Sequence, residues 1–123
     1  MKCFAQALDL QDDPQLIREY EVHHQRVWPE VIEALRGIGI WRMKIFGLGS
    51  RLFMYAEAGD DFDPTRDYQS YTNNPRCREW DVLMRRYQRT APGARPGEWW
   101  ASMQEVFDLE SAPGVGLPTR NTP

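Results

Sequence analysis

Four prolines cut this chain into pieces more firmly than any hydrophobic pattern does. Pro14 follows Asp12-Asp13, Pro64 follows Asp63, and Pro75 follows Asn73-Asn74. Proline at the first helical position gives up no hydrogen bond, and the Asp or Asn before it accepts from the free amides of the first turn. Each of these three sites therefore starts a helix. The fourth, Pro29 after Trp28, falls inside a stretch whose apolar residues keep helical spacing from Leu16 to Leu35. A proline there removes a donor and breaks the helix. The spacing predicts one helix to about His24 and a second over Pro29–Arg36, ended by Gly37 and Gly39.

Between these helices the pattern turns strand-like. Residues 2–10 alternate, with Phe4, Leu8 and Leu10 on one face. Ile40–Leu48 and Arg51–Ala58 read as a hairpin joined through Gly47-Leu48-Gly49-Ser50. Thr65–Tyr71 reads as a short helix. The helix from Pro75 is expected to run to about Arg89, with a core stripe of Trp80, Leu83, Met84 and Tyr87. Its cationic end, Arg85, Arg86 and Arg89, reads as a solvated face that suits the helix dipole. Thr90–Glu98 is a Pro/Gly loop, and Trp99–Leu109 reads as a last strand.

This order predicts an α+β fold of ferredoxin-like βαββαβ type, a four-stranded antiparallel sheet with its helices on one face. Residues 1–110 form the domain, and 111–123 a Pro/Gly-rich tail, mobile or laid on a partner chain. The sheet's other face is left bare. A second copy is the simplest cover, giving a homodimer of dimeric α+β barrel form.

Composition narrows the partners. The 123 residues carry 15 Lys and Arg against 18 Asp and Glu, a net charge of −3. That balance argues against nucleic acid or an anionic membrane. No apolar run reaches the roughly 18 residues of a membrane span. No apolar leader follows Met1, so a cytoplasmic setting is expected. Cys3 and Cys77 make neither a disulfide framework nor a four-ligand zinc site, and two buried thiols are the plain reading.

P-loop, GxGxxG and GxSxG patterns are absent. His23 and His24 are adjacent, so they point about 100° apart on a helix, and no metal pattern includes them. His23 falls near Glu19 and reads as solvated. Tyr20 and His24, one turn apart, share a face, and a phenol and an imidazole there reach one cavity, with Trp28 beyond. Spacing alone more simply fits a satisfied, partly buried histidine at a helix end beside core aromatics. Trp80 and Trp99-Trp100 are core or interface by the same reasoning, unless they stack on a sugar's C–H face.

The run Tyr20-Glu21-Val22-His23-His24-Gln25-Arg26-Val27-Trp28-Pro29-Glu30 resembles the Y-x-x-x-H-x-x-x-W-P-E signature of the L-rhamnose mutarotase family. Asn74-Pro75-Arg76-Cys77-Arg78-Glu79-Trp80 and Met103-Gln104-Glu105-Val106-Phe107 resemble it as well. The likeness spans roughly residues 2–109. It implies a homodimer with its site inside the barrel, interconverting the anomers of a 6-deoxy-L-sugar without cofactor or metal. It implies that His24 is the proton donor and that Tyr20 and Trp80 contact the sugar. Two positions depart from the family pattern: Met43 stands where a strand tyrosine is expected, and Asp81 where a second tryptophan is. Both are candidate substrate contacts that would change which hydroxyls are read, with L-fucose a rival to L-rhamnose. Asp81 is also a candidate second proton-transfer group, or more plainly a surface acid paired with Arg78 or Arg85. The alternatives are a monooxygenase-like or haem-degrading enzyme on the same barrel, and a non-catalytic sugar-binding protein.

Overall fold

The computed structural model describes residues 1–111, so the expected tail lies outside the described residues but for Ser111. The elements are β1 (Lys2–Leu10), α1 (Pro14–His24), α2 (Pro29–Gly37), β2 (Ile40–Leu48), β3 (Arg51–Ala58), α3 (Pro64–Thr72), α4 (Pro75–Arg85), β4 (Gln88–Arg89) and β5 (Ala101–Ser102). The three expected caps form. Asp13 accepts from the amides of Gln15 and Leu16, at 2.8 and 3.2 Å. Asp63 accepts from Thr65 at 3.0 Å, and Asn74 from Arg76 at 2.9 Å. Pro29 begins α2 with no side-chain cap, and Gly39 at φ +103° carries the chain away from its end. That is a left-handed conformation that side chains disfavour.

All strand pairs are antiparallel. β1 pairs along one edge with β3, which pairs with β2. The other edge of β1 is shared: β4 pairs with Asp9 and Leu10, β5 with Gln6 and Ala7. The expected fourth strand is thus filled by two short ones. β2 and β3 turn at Gly49-Ser50, with Gly49 at φ +59°, as a two-residue hairpin requires.

Two expected boundaries are corrected. α4 stops at Arg85 and not near Arg89, because the backbone of Gln88 and Arg89 is taken up by β1. The last strand ends at Ser102 and not Leu109. Beyond it Met103 donates one more bond, to the Ala5 carbonyl at 2.9 Å. The alternation of Val106, Phe107 and Leu109 then meets little surface among the described residues, and Val106 is 94% exposed.

Register assigns the two faces. Leu8, Leu10, Leu52, Met54, Ala56 and Ala58 are buried on the helix side: Leu10 and Leu52 pack with Tyr20, Val31, Cys77, Trp80 and Met84, and Met54, Ala56 and Ala58 with Ile40 and Phe62. The opposite face carries Lys44, Phe46 and Leu48 of β2 beside Phe53 and Tyr55 of β3. Phe46 and Phe53 pack together at 6.1 Å yet remain 53% and 37% exposed. Asp9 is buried on this face and held by Arg51 at 2.7 Å. Cys3 is exposed, contrary to expectation, because β1 alternates it onto the bare face; Cys77 is buried, and both are free thiols. No helix among the described residues is long and apolar enough to cross a membrane.

Leu8, wholly buried at the centre of the sheet, sets the scale of this packing. Leu8→Ala is expected to cost about 2–5 kcal/mol in equilibrium denaturation. A loss under about 1 kcal/mol, well below that range, would show that the helices do not depend on this contact.

Candidate active site

The helical register of α1 brings Tyr20 and His24 together. Their rings lie 4.3 Å apart, and the edge of Trp80 from α4 meets His24 at 5.5 Å. Trp28, at the break between α1 and α2, packs edge-on against Trp80 at 5.2 Å, with the Arg76 guanidinium 3.9 Å over its ring. The proline break therefore places one aromatic beside another that is 52 residues further along the chain.

His24 is oriented by the main chain. Its Nδ1 lies 3.0 Å from the Tyr20 carbonyl oxygen. A carbonyl only accepts, so Nδ1 carries a proton and donates it. Nε2 is left to take or give the other proton. Burial lowers the His24 pKa from 6.5, against an opposing effect of the carbonyl bond, and His23 lowers it further. Burial raises the Tyr20 pKa above 10.0, partly offset by a bond from Gln88.

Gln88 was not singled out from sequence, where it sits in an expected helix. As the β4 residue opposite Leu10 it faces the helices, 5% exposed. Its Nε2 donates to the Tyr20 hydroxyl at 3.1 Å, and its Oε1 accepts from the Trp99 indole at 2.8 Å. No spacing rule could reveal this, because the two partners are separated from it by 68 and 11 residues.

The remaining candidates separate. His23 is not a solvated side chain: its Nε2 lies 3.2 Å from the Tyr87 hydroxyl, which donates to Glu19 at 3.2 Å, and its ring meets Trp80 edge-on at 6.4 Å. Asp81 pairs with neither Arg78 nor Arg85. It accepts from the Tyr71 hydroxyl at 3.2 Å, and burial raises its pKa from 3.8. Arg78 instead donates to the Thr72 carbonyl, and Arg85 lies over the Trp99 ring at 4.6 Å. Met43 is on the covered face of β2, packed against the second apolar cluster around Ile40, Met54 and Phe62. It shares that face with Tyr20 and His24 but not their contacts.

Tyr20, His24 and Trp80 thus lie between the helices and the covered face of the sheet, not on the bare face that two sheets would share. Two open depressions mark the outer helix surfaces. One of about 610 Å³ is lined by Gln15, Arg18, Glu19, Val22 and His23. The other, about 590 Å³, lies along α4 between Pro75 and Arg86. Neither includes His24. Among the described residues no group of three or more His, Cys, Asp or Glu is placed to hold a metal.

The covered sheet and its helix-side histidine define a ferredoxin-like α+β protein with a polar group set in an aromatic wall. The model of the L-rhamnose mutarotase family matches residues 3–109. The chain is 39% identical over 117 residues to the L-fucose mutarotase of Xanthomonas campestris, covering 94% of each. It is 53% identical over 113 residues to a UPF0734 protein of Dictyostelium discoideum, covering 89% of this chain and 90% of that one. Among solved structures, the L-rhamnose mutarotase of Formosa agariphila superimposes with a TM-score of 0.64 at 20% identity, covering 88% of this chain and 98% of the other. The chain belongs to the L-rhamnose mutarotase family, isomerases that act on sugars. This match favours the isomerase reading over the oxygenase, haem-degrading and non-catalytic alternatives.

The lowered His24 pKa links the site to stability. Between that pKa and the unfolded value of 6.5 the folded chain binds fewer protons than the unfolded one. The contribution of His24 is therefore full above pH 6.5 and falls as the pH drops toward the folded pKa. Urea midpoints measured across this range should decline with acid more steeply in the wild type than in His24→Asn. Parallel declines would mean that burial does not favour the neutral ring.

Proposed function

We propose that this protein interconverts the α and β anomers of a 6-deoxy-L-hexose, with L-fucose preferred to L-rhamnose. The observation that carries the reading is the His24 ring, tied at Nδ1 to the Tyr20 carbonyl with Nε2 uncommitted, between a phenol and an indole. Family membership supports the reaction, and the 39% identity to an L-fucose mutarotase supports the sugar.

The chemistry asked of the site is modest. As the C1–O5 bond opens, His24 acts as proton donor to the ring oxygen and the anomeric hydroxyl releases its proton to solvent. The aldehyde turns about C1–C2. The ring oxygen then attacks the other carbonyl face, returns its proton to His24, and the new anomeric oxygen regains one from water. Nothing is oxidised or reduced, so no cofactor is required. An imidazole serves both directions because its unperturbed pKa of about 6.5 lies near neutral pH. Burial lowers that of His24, so the protonated ring that donates from Nε2 is the minor form at neutral pH. Tyr20 holds a sugar hydroxyl, and Trp80 packs against the C–H face. Met43 and Asp81 complete the reading of the ring substituents, and a carboxylate in place of an indole suits a hydroxyl of different orientation.

A homodimer in a cytoplasmic setting completes the proposal. The bare sheet face, with Phe46, Leu48 and Phe53 exposed, supports a second copy as its cover. The apolar stretch after Ser102 supports an arm laid on that copy. Two free thiols support the reducing compartment.

Anomer exchange followed by saturation-transfer NMR tests the reaction. The wild type should accelerate L-fucose more than L-rhamnose, and His24→Ala should lose about 10²-fold or more. Acceleration of neither sugar sinks the assignment, and an alanine variant as fast as the wild type removes His24 from it. Sedimentation tests the assembly: Phe53→Asp should convert a dimer to monomer, and a wild type that sediments as monomer refutes the second copy.

A further inference from the structure

Tyr20 has one hydroxyl, and whether it gives or takes a hydrogen bond decides what it does for a sugar. We infer that Gln88, oriented by the Trp99 indole, is a positioning residue that fixes the Tyr20 hydroxyl as a hydrogen-bond donor toward the substrate. The inference rests on the mutarotase reading and extends it to residues outside the family signature.

The direction of the chain follows from one unambiguous end. An indole nitrogen can only donate. The Gln88 atom 2.8 Å from Trp99 Nε1 is therefore the amide oxygen, which settles the amide orientation that side-chain shape alone leaves open. The amide nitrogen then faces Tyr20, 3.1 Å from its hydroxyl, and an amide nitrogen can only donate. The Tyr20 oxygen is consequently the acceptor of that bond. Its own proton must point elsewhere, and no described residue accepts it. Burial meanwhile keeps the phenol protonated.

The chain is built to hold this polarity. Gln88 is 5% exposed and Tyr20 3%, so water does not compete freely for the bond. Pairing of β4 with β1 places Gln88 on the helix side, and Gln11 donates to its backbone carbonyl at 3.2 Å. Arg85 lies over the Trp99 ring and holds the anchor in place. The donor so presented sits beside the one imidazole with a free Nε2. The pair divides the work: Tyr20 binds an oxygen lone pair and His24 moves the proton.

Gln88→Glu tests the direction, because it keeps the shape and reverses the polarity. The introduced carboxylate still accepts from Trp99 but now also accepts from Tyr20, which removes the donor from the substrate. Anomer exchange near neutral pH should fall about ten-fold or more, to the level of Tyr20→Phe. The double variant should be no slower than either single one. Relative to the wild type, Gln88→Glu should recover as the pH is lowered, since a protonated carboxyl donates as the amide does. The charged or titrating groups packed on this chain are His24 and Tyr87, against the Tyr20 ring, and Arg85, on the Trp99 ring. Trp99→Phe, which frees the amide to flip, should lose less than Gln88→Glu. A Gln88→Glu variant at the wild-type rate, or losses that multiply in the double variant, overturns the inference.

A second measurement needs no turnover. In the wild type the Gln88 side-chain amide should show one proton shifted and protected from exchange, and Tyr20→Phe should abolish both signs. An amide indifferent to Tyr20→Phe overturns the inference whatever the protein does to sugars. A responsive amide in a wild type that accelerates no sugar instead condemns the mutarotase reading alone.

Discussion

Everything in this molecule is hung on β1, the strand that runs through the middle of the sheet. Residues Lys2 to Asp9 of this strand pair with β3 along one edge, and the other edge is lent to β4 and β5. Backbone groups buried in a sheet must find partners, and β1 is where the N-terminal, hairpin and C-terminal parts of the chain find theirs. Its alternation also separates the two faces. Leu8 and Leu10 seat the helices, while Asp9 between them is buried on the other side and neutralised by Arg51.

From that frame the site follows in two steps of different character. The helix α1 delivers Tyr20 and His24 by its own periodicity and orients the imidazole with its own carbonyl, so the pair is local. Trp80 and Gln88 are delivered by packing and pairing of later segments, so they are not. The His24 ring is thus a local feature set into a wall that the whole fold assembles.

Apart from the Tyr20 proton and His24 Nε2, the polar groups described here under the helices are paired. Gln88 meets Tyr20 and Trp99, and Asp81 meets Tyr71. Tyr87 joins His23 to Glu19. An unanswered buried polar group costs about 1–3 kcal/mol, so such pairings constrain the core as firmly as its apolar contacts do. They also give the interior direction, since donors and acceptors cannot be exchanged without breaking a neighbour.

The sequence alone determined what depends on neighbouring residues. Helix starts at Asp13, Asp63 and Asn74, the break at Pro29, the Gly49-Ser50 hairpin and the shared face of Tyr20 and His24 were all legible, because caps, prolines and periodicity act within one or two turns. The family signature was legible for the same reason, being mostly one stretch of α1. Only the tertiary structure decided the rest. It ended α4 at Arg85, shortened the last strand to Ala101–Ser102, paired Asp81 with Tyr71, drew His23 to Tyr87 and moved Met43 into a separate cluster. Each of these turns on which distant backbone edge or side chain is available to pair with. That is a property of the assembled sheet and its helices, carried by no local pattern of residues.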